Sequence, residues 1–175
     1  MSALERQLLA WISKHATRGI LVDTNVLLLY LFGLYQPAAV GKRKRLERYS
    51  LEDADLVIQF LRRFGRILTT QHVLAEASNL ARQVVSGSQR LALSAKLHPL
   101  FCLDTPASFR SCDVPGPSID VGIFARLGLT DSGLASLAKA DRLLLTDDLD
   151  LYIAAVTTGA DAINFAHMRE AAGTV

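Results

Sequence analysis

Acidic residues fall at positions from which they could share one point in space. Asp23 directly follows the apolar triplet Ile20-Leu21-Val22, and Asp147 and Asp148 follow Leu143-Leu144-Leu145, with Asp150 just beyond. Glu76 stands among Val73, Leu74 and Ala77, and Asp131 follows Thr130. Carboxylates gathered this way repel: two charges about 4 Å apart cost on the order of 4 kcal/mol at an effective dielectric near 20. A fold tolerates such a cluster when protons or a cation neutralise it. An oxygen-only donor set, with neither imidazole nor thiolate, suits Mg²⁺ or Mn²⁺ better than zinc. Each acid alone also has a structural role open to it. Asp131 would complement a helix dipole, a contribution of about 0.3–1 kcal/mol. Asp147 or Asp148 would cap a helix, and Glu76 would be a solvated residue at the edge of an apolar stripe. The case for chemistry rests on the combination.

The elements that must position these acids are legible from periodicity. Leu4, Leu8, Trp11 and Ile12 share one helical face, so the chain opens with an amphipathic helix that Gly19 ends. Ile20 to Val22 reads as a buried strand, followed by a leucine-rich helix over Asn25 to Leu34. Ser50 and Asp53 form a helix-start signature for Leu51 to Arg63. A second strand, Arg66 to Thr69, leads into a helix from about Gln71 to Val85. Gln89 to Leu97 reads as a short helix before Pro99, Leu100 to Leu103 as a short strand, and Pro106 to Pro117 as a long irregular loop. Ile119 to Leu127 is helical with Gly128 as its cap, and Thr130 starts the next helix, through Ala140. Arg142 to Leu145 is a strand, Leu149 to Val156 a helix, and Ala162 to Phe165 a closing strand. This alternation predicts one α/β domain over residues 1–175, a mostly parallel central sheet flanked by helices on both faces in three layers. A basic insertion near 35–50 and a proline-rich loop near 104–118 interrupt it. In such sheets ligands bind outside the carboxyl ends of the strands, where Asp23, Asp147 and Asp148 fall.

Bulk properties narrow the classes further. The net charge of +2 is unevenly laid out, because Gly41 to Arg48 reads GKRKRLER and contributes +4, leaving −2 for the rest. Lys42, Arg43, Lys44, Arg45 and Arg48 thus form a local footprint for the backbone of a polyanion such as RNA. The alternative for this run is a solvated linker. The longest apolar stretch, Val26 to Tyr35, is too short for a bilayer, which needs roughly 20 residues. Residues 1–16 carry Glu5, Arg6 and Lys14 and lack the uninterrupted apolar core of a signal peptide. The expectation is a cytoplasmic protein with no membrane association. Cys102 and Cys112 match no zinc spacing and are expected as free thiols, and the four histidines are scattered.

The ordered acidic segments resemble the PIN-domain family. Ile20-Leu21-Val22-Asp23-Thr24-Asn25-Val26-Leu27-Leu28 looks like the family's opening strand ending in Asp-Thr-Asn. Val73-Leu74-Ala75-Glu76 resembles its helical glutamate, and Leu129-Thr130-Asp131-Ser132-Gly133-Leu134-Ala135 its helix-opening aspartate. Leu144-Leu145-Thr146-Asp147-Asp148-Leu149-Asp150-Leu151 resembles its closing T-x-D-x-D segment. The match runs in order over nearly the whole chain. It implies a metal-dependent ribonuclease with Asp23, Glu76, Asp131 and Asp148 as catalytic metal ligands for one or two Mg²⁺ or Mn²⁺ ions. Asp147 stands in for Asp148 if the loop is shifted by one, and Asp150 is a fifth acid. Thr24, Asn25 and Thr146 would be supporting polar groups. The family includes toxins of toxin–antitoxin pairs, which implies an antitoxin protein and a homodimer, as well as RNA-processing and RNA-decay nucleases. From another class, the chain could be a non-catalytic RNA-binding or scaffold module of the same fold. A phosphotransfer domain fits less well, since no lysine follows the Leu145 strand.

Overall fold

A computed structural model describes residues 3–102, 109–112, 119–139 and 141–173. Five parallel strands form one sheet: β1 (Ile20–Val22), β2 (Ile67–Thr69), β3 (Arg110–Ser111), β4 (Leu143–Thr146) and β5 (Ala162–Asn164), in the order β3-β2-β1-β4-β5. Every residue of β1, β4 and β5 is buried. A strand can be buried throughout only when both faces of its sheet are covered, which is why these runs are continuously apolar rather than alternating. Eight α-helices of the described residues surround the sheet: α1 (Ala3–His15), α2 (Thr24–Tyr35), α3 (Leu51–Leu61), α4 (Gln71–Val84), α5 (Ser88–Cys102), α6 (Val121–Lys139), α7 (Leu149–Thr157) and α8 (Phe165–Ala172). The expected three-layer α/β/α architecture is therefore observed.

The strand order places a topological switch between β1 and β4. From β1 the chain moves outward to β2 and β3, then returns across β1 to β4 and continues to β5. In sheets of this kind chain segments diverge above such a seam, and the crevice that takes ligands lies there, at the carboxyl ends of the strands. Register aligns Val22 with Leu145, so the next residues, Asp23 and Thr146, meet at the rim.

Local chemistry sets the helix starts. Ser50 and Asp53 form a reciprocal capping box at α3, and buried Asp53 also accepts from Arg169 Nε of α8 at 2.7 Å. Gly128, with φ of 77°, breaks α6 into two helical segments, so that Asp131 lies in the first turn of the second. Left-handed backbone is readily open to glycine and costly to residues with a Cβ.

Three expectations are corrected. The helix before Pro99 does not stop there: α5 runs on to Cys102, over residues read as the start of a strand. Pro99 leaves the carbonyl of Ala95 without its helical partner. The loss falls in the last turn, while buried Leu93 and Leu97 anchor the helix on its preceding turns. The irregular loop contains a strand, β3, although most of the expected loop near 104–118 lies outside the described residues. The last strand ends at Asn164, whose side chain caps α8, a helix the sequence reading did not anticipate. Cys102 and Cys112 are free thiols. No helix among the described residues is long and apolar enough to cross a membrane.

Candidate metal centre

Asp23 is the buried hub of the rim. It is the N-cap of α2, with Oδ1 accepting from the Val26 amide at 2.7 Å. Its Oδ2 accepts from Thr146 Oγ1 at 2.5 Å and from the Asp147 amide at 3.0 Å. Burial pushes its carboxyl up from 3.8 to about 6, although these three hydrogen bonds pull the other way. The Thr146 hydroxyl also accepts from the Asp148 amide at 2.9 Å. One side chain at the end of β4 thus ties the two strand-end acids together. Asp148 caps α7 through the Leu151 amide at 2.9 Å, the structural role open to it from sequence, and its charge also acts on Asp131.

Glu76 reaches the same rim from α4, where its Oε2 accepts from Thr24 Oγ1 at 2.8 Å. Asp131 completes the group. No hydrogen-bond donor or cation among the described residues pairs with its carboxyl. Burial raises it first, and the charges of Asp23, Asp148 and Glu76 raise it further, to about 7. A carboxyl held up by three other carboxylates, with no cation to offset them, marks a site of concentrated negative potential. The oxygens are spread: no three of these acids bring theirs within 4.8 Å of one another.

The remaining candidates separate by position. The Asp147 side chain turns to a different set of partners, accepting from Tyr49 Oη at 2.6 Å and pairing with Arg48 Nη2 at 2.7 Å. Its part in the rim is its backbone amide and a like charge that acts on Asp23. Asp150 is exposed in the first turn of α7 and is not among the charges acting on Asp131. Thr24 supports Glu76, Thr146 supports Asp23 and Asp148, and Asn25 is half-buried in the first turn of α2. Lys42, Arg43, Lys44 and Arg45 are all exposed in the loop before α3. Tyr49 escaped the sequence reading. Its signal was a lone aromatic between the basic run and the Ser50 cap, and it is buried where the run meets the rim.

Compared with protein-family models, with curated proteins and with solved structures, the chain matches none.

A second acidic group lies at the other end of the strands. His15, Asp141 and Asp161 bring one donor atom each within 4.8 Å. Cations of the chain already serve it: Lys14 pairs with Asp161 at 2.8 Å and with Asp141 at 3.1 Å, and Arg18 pairs with Asp141. Burial would raise Asp161, but hydrogen bonds from Lys14 and His15 hold it below the ordinary carboxylate range. The two clusters differ in sign of supply. The His15 group has its counter-charges in place, whereas at the crevice Arg48 pairs with Asp147 and no cation among the described residues pairs with Asp131.

Proposed function

We propose that the chain is a Mg²⁺- or Mn²⁺-dependent ribonuclease that hydrolyses RNA phosphodiester bonds at the β1/β4 crevice. The observation that carries this reading is Asp131: unpaired among the described residues, half-buried, and raised to about 7 by burial first and then by the charges of Asp23, Asp148 and Glu76. Four segments distant in sequence supply these acids, which is costly to a fold unless a cation occupies the space between them. The donor set is all oxygen, and it fits a hard divalent ion. Asp23, Glu76, Asp131 and Asp148 would hold it. Bound there, such an ion supplies Lewis acidity toward a phosphate oxygen and a lowered pKa for a water positioned for in-line attack.

The chain's own residues do the positioning. Thr146 and the Asp147 amide fix the Asp23 carboxylate, and the Leu151 amide fixes that of Asp148. Thr24 steadies the longer, exposed Glu76. The exposed basic run supplies counter-charge for the backbone of the strand. In the toxin form of this reading, an antitoxin segment would cover the acidic rim and the protein would be a dimer.

Calorimetric titration of Mn²⁺ into the protein tests the proposal, with Asp23→Asn and Asp131→Asn variants shown to be folded. Saturable binding that falls at least tenfold in both variants is expected, followed by Mn²⁺-dependent cleavage of single-stranded RNA. A wild-type protein that takes up no Mn²⁺ even with RNA present would sink the reading and leave a non-catalytic RNA-binding module in its place.

A further inference from the structure

We propose that Arg48 contacts a phosphate of the RNA strand at the carboxylate rim, with Asp147 and Tyr49 holding its guanidinium in place. This rests on the ribonuclease reading, and it separates Arg48 from the other basic residues of its run. Lys42, Arg43, Lys44 and Arg45 have exposed side chains with no ion pair among the described residues. Arg48 is fixed. Its Nη2 pairs with Asp147 Oδ2 at 2.7 Å and donates to Tyr49 Oη at 2.8 Å, and Tyr49 Oη in turn donates to Asp147 Oδ2 at 2.6 Å. The guanidinium carbon also lies 4.9 Å from the centre of the Tyr49 ring. Tyr49 is 3 % exposed, so the platform is part of the core rather than a surface tether.

The arrangement uses one nitrogen and leaves two. Arginine presents five N–H donors in a planar fork. Nε and Nη1 have no partner among the described residues, and 52 % of the side chain is exposed. Asp147 holds this guanidinium next to the acids of the rim. Its own amide donates to Asp23 Oδ2 at 3.0 Å, and Arg48 lies near enough to Asp23 to feel its charge. A guanidinium already ordered by an ion pair and a ring loses little further rotamer freedom when it takes a phosphate oxygen. It also places one fixed positive charge beside a negative crevice, which favours an anion in a single register.

The rival account is that Arg48 only fastens the basic loop to the end of β4. Two variants separate them, because Arg48→Gln and Asp147→Asn break the same ion pair but only the first removes the cation. Binding of a short fluorescein-labelled single-stranded RNA is followed by anisotropy in Ca²⁺ over a series of salt concentrations. Arg48→Gln is expected to bind about tenfold more weakly and to flatten the plot of log affinity against log salt by about 0.7, one phosphate contact on a single strand. Asp147→Asn, which keeps the cation but loosens its hold, is expected to keep the wild-type slope and to lose less affinity than Arg48→Gln. Arg48→Lys, which preserves the charge should the glutamine variant fail to fold, is expected to recover the slope and part of the affinity. Equal losses in Arg48→Gln and Asp147→Asn, wild-type binding by Arg48→Gln, or no recovery in a folded Arg48→Lys protein would each overturn the contact. A parallel Mn²⁺ titration keeps the two proposals apart. RNA held through Arg48 by a protein that binds no Mn²⁺ would leave the contact standing and remove the nuclease reading.

Discussion

At the scale of single residues, the rim depends on a hydroxyl that serves two carboxylates. Thr146 Oγ1 donates to Asp23 Oδ2 and accepts from the Asp148 amide, and Thr146 is fully buried. Thr146→Val keeps the shape and removes both bonds, leaving the Asp148 amide without its partner. The expected cost is about 1–3 kcal/mol in urea unfolding, with weaker Mn²⁺ binding by calorimetry. Asp23 and Asp131 have carboxyls raised to about 6 and about 7. Protons therefore compete with metal near neutrality. Mn²⁺ affinity is expected to fall as pH drops below about 7 and more steeply below about 6, with protons released on binding. Titrations in buffers of different ionisation enthalpy check this, and a pH-independent affinity would contradict the shared site.

At the scale of elements, the break in α6 decides where Asp131 points. Gly128 adopts φ of 77° with open space around its Cα, so an added Cβ meets no neighbour. The cost of Gly128→Ala is therefore conformational, about 1–3 kcal/mol for a positive-φ, extended backbone that essentially only glycine adopts. Straightening of the helix would relieve that strain and shift Asp131 away from the crevice. Loss of Mn²⁺ affinity beyond the stability change is the expected outcome, measured by calorimetry beside thermal unfolding. The start of α3 offers a contrasting case. Ser50→Ala removes one half of a capping box next to Tyr49, and about 1 kcal/mol of stability is expected to go with it, with Mn²⁺ binding retained.

For the whole molecule, the raised carboxyls make metal-free stability depend on pH in a definite direction. Asp23 and Asp131 bind protons more tightly folded than unfolded. Their favourable contribution is complete below about 4, where both states are protonated, and is lost as pH rises through about 6 to 7. For Asp23, which is nearly fully buried, the loss is on the order of 3 kcal/mol. Asp131 adds to it in the same direction, less for being partly solvated. Mn²⁺ should reverse the loss. At a hundredfold excess over the dissociation constant it adds about 2.7 kcal/mol, a rise in Tm of roughly 5–10 °C for a chain of this size. Differential scanning fluorimetry at pH 8 with and without Mn²⁺ measures it, and Asp131→Asn is expected to unfold at higher temperature than wild type when metal is absent.

The sequence by itself determined the layers and the identity of the acids. Continuous apolar triplets at Ile20–Val22 and Leu143–Leu145 required a sheet covered on both faces, and Asp23, Asp147 and Asp148 fell at strand ends because polarity begins where burial stops. Those are local facts, carried by hydrophobic periodicity and helix caps. It did not determine α8, a short helix that buries Phe165 and Met168 and whose start is the side chain of Asn164. It also did not determine the run of α5 through Pro99, where anchoring by Leu93 and Leu97 overrides a local breaker. Only the tertiary structure gives Asp147 and Asp148 different partners. The two are neighbours of one chemical type, and the Asp147 carboxylate is taken by Arg48 and by Tyr49, the latter ninety-eight positions before it. The strand order likewise brought Asp23, Asp148 and Glu76 within range of Asp131. Electrostatic coupling falls with distance through space, and a sequence records only distance along the chain.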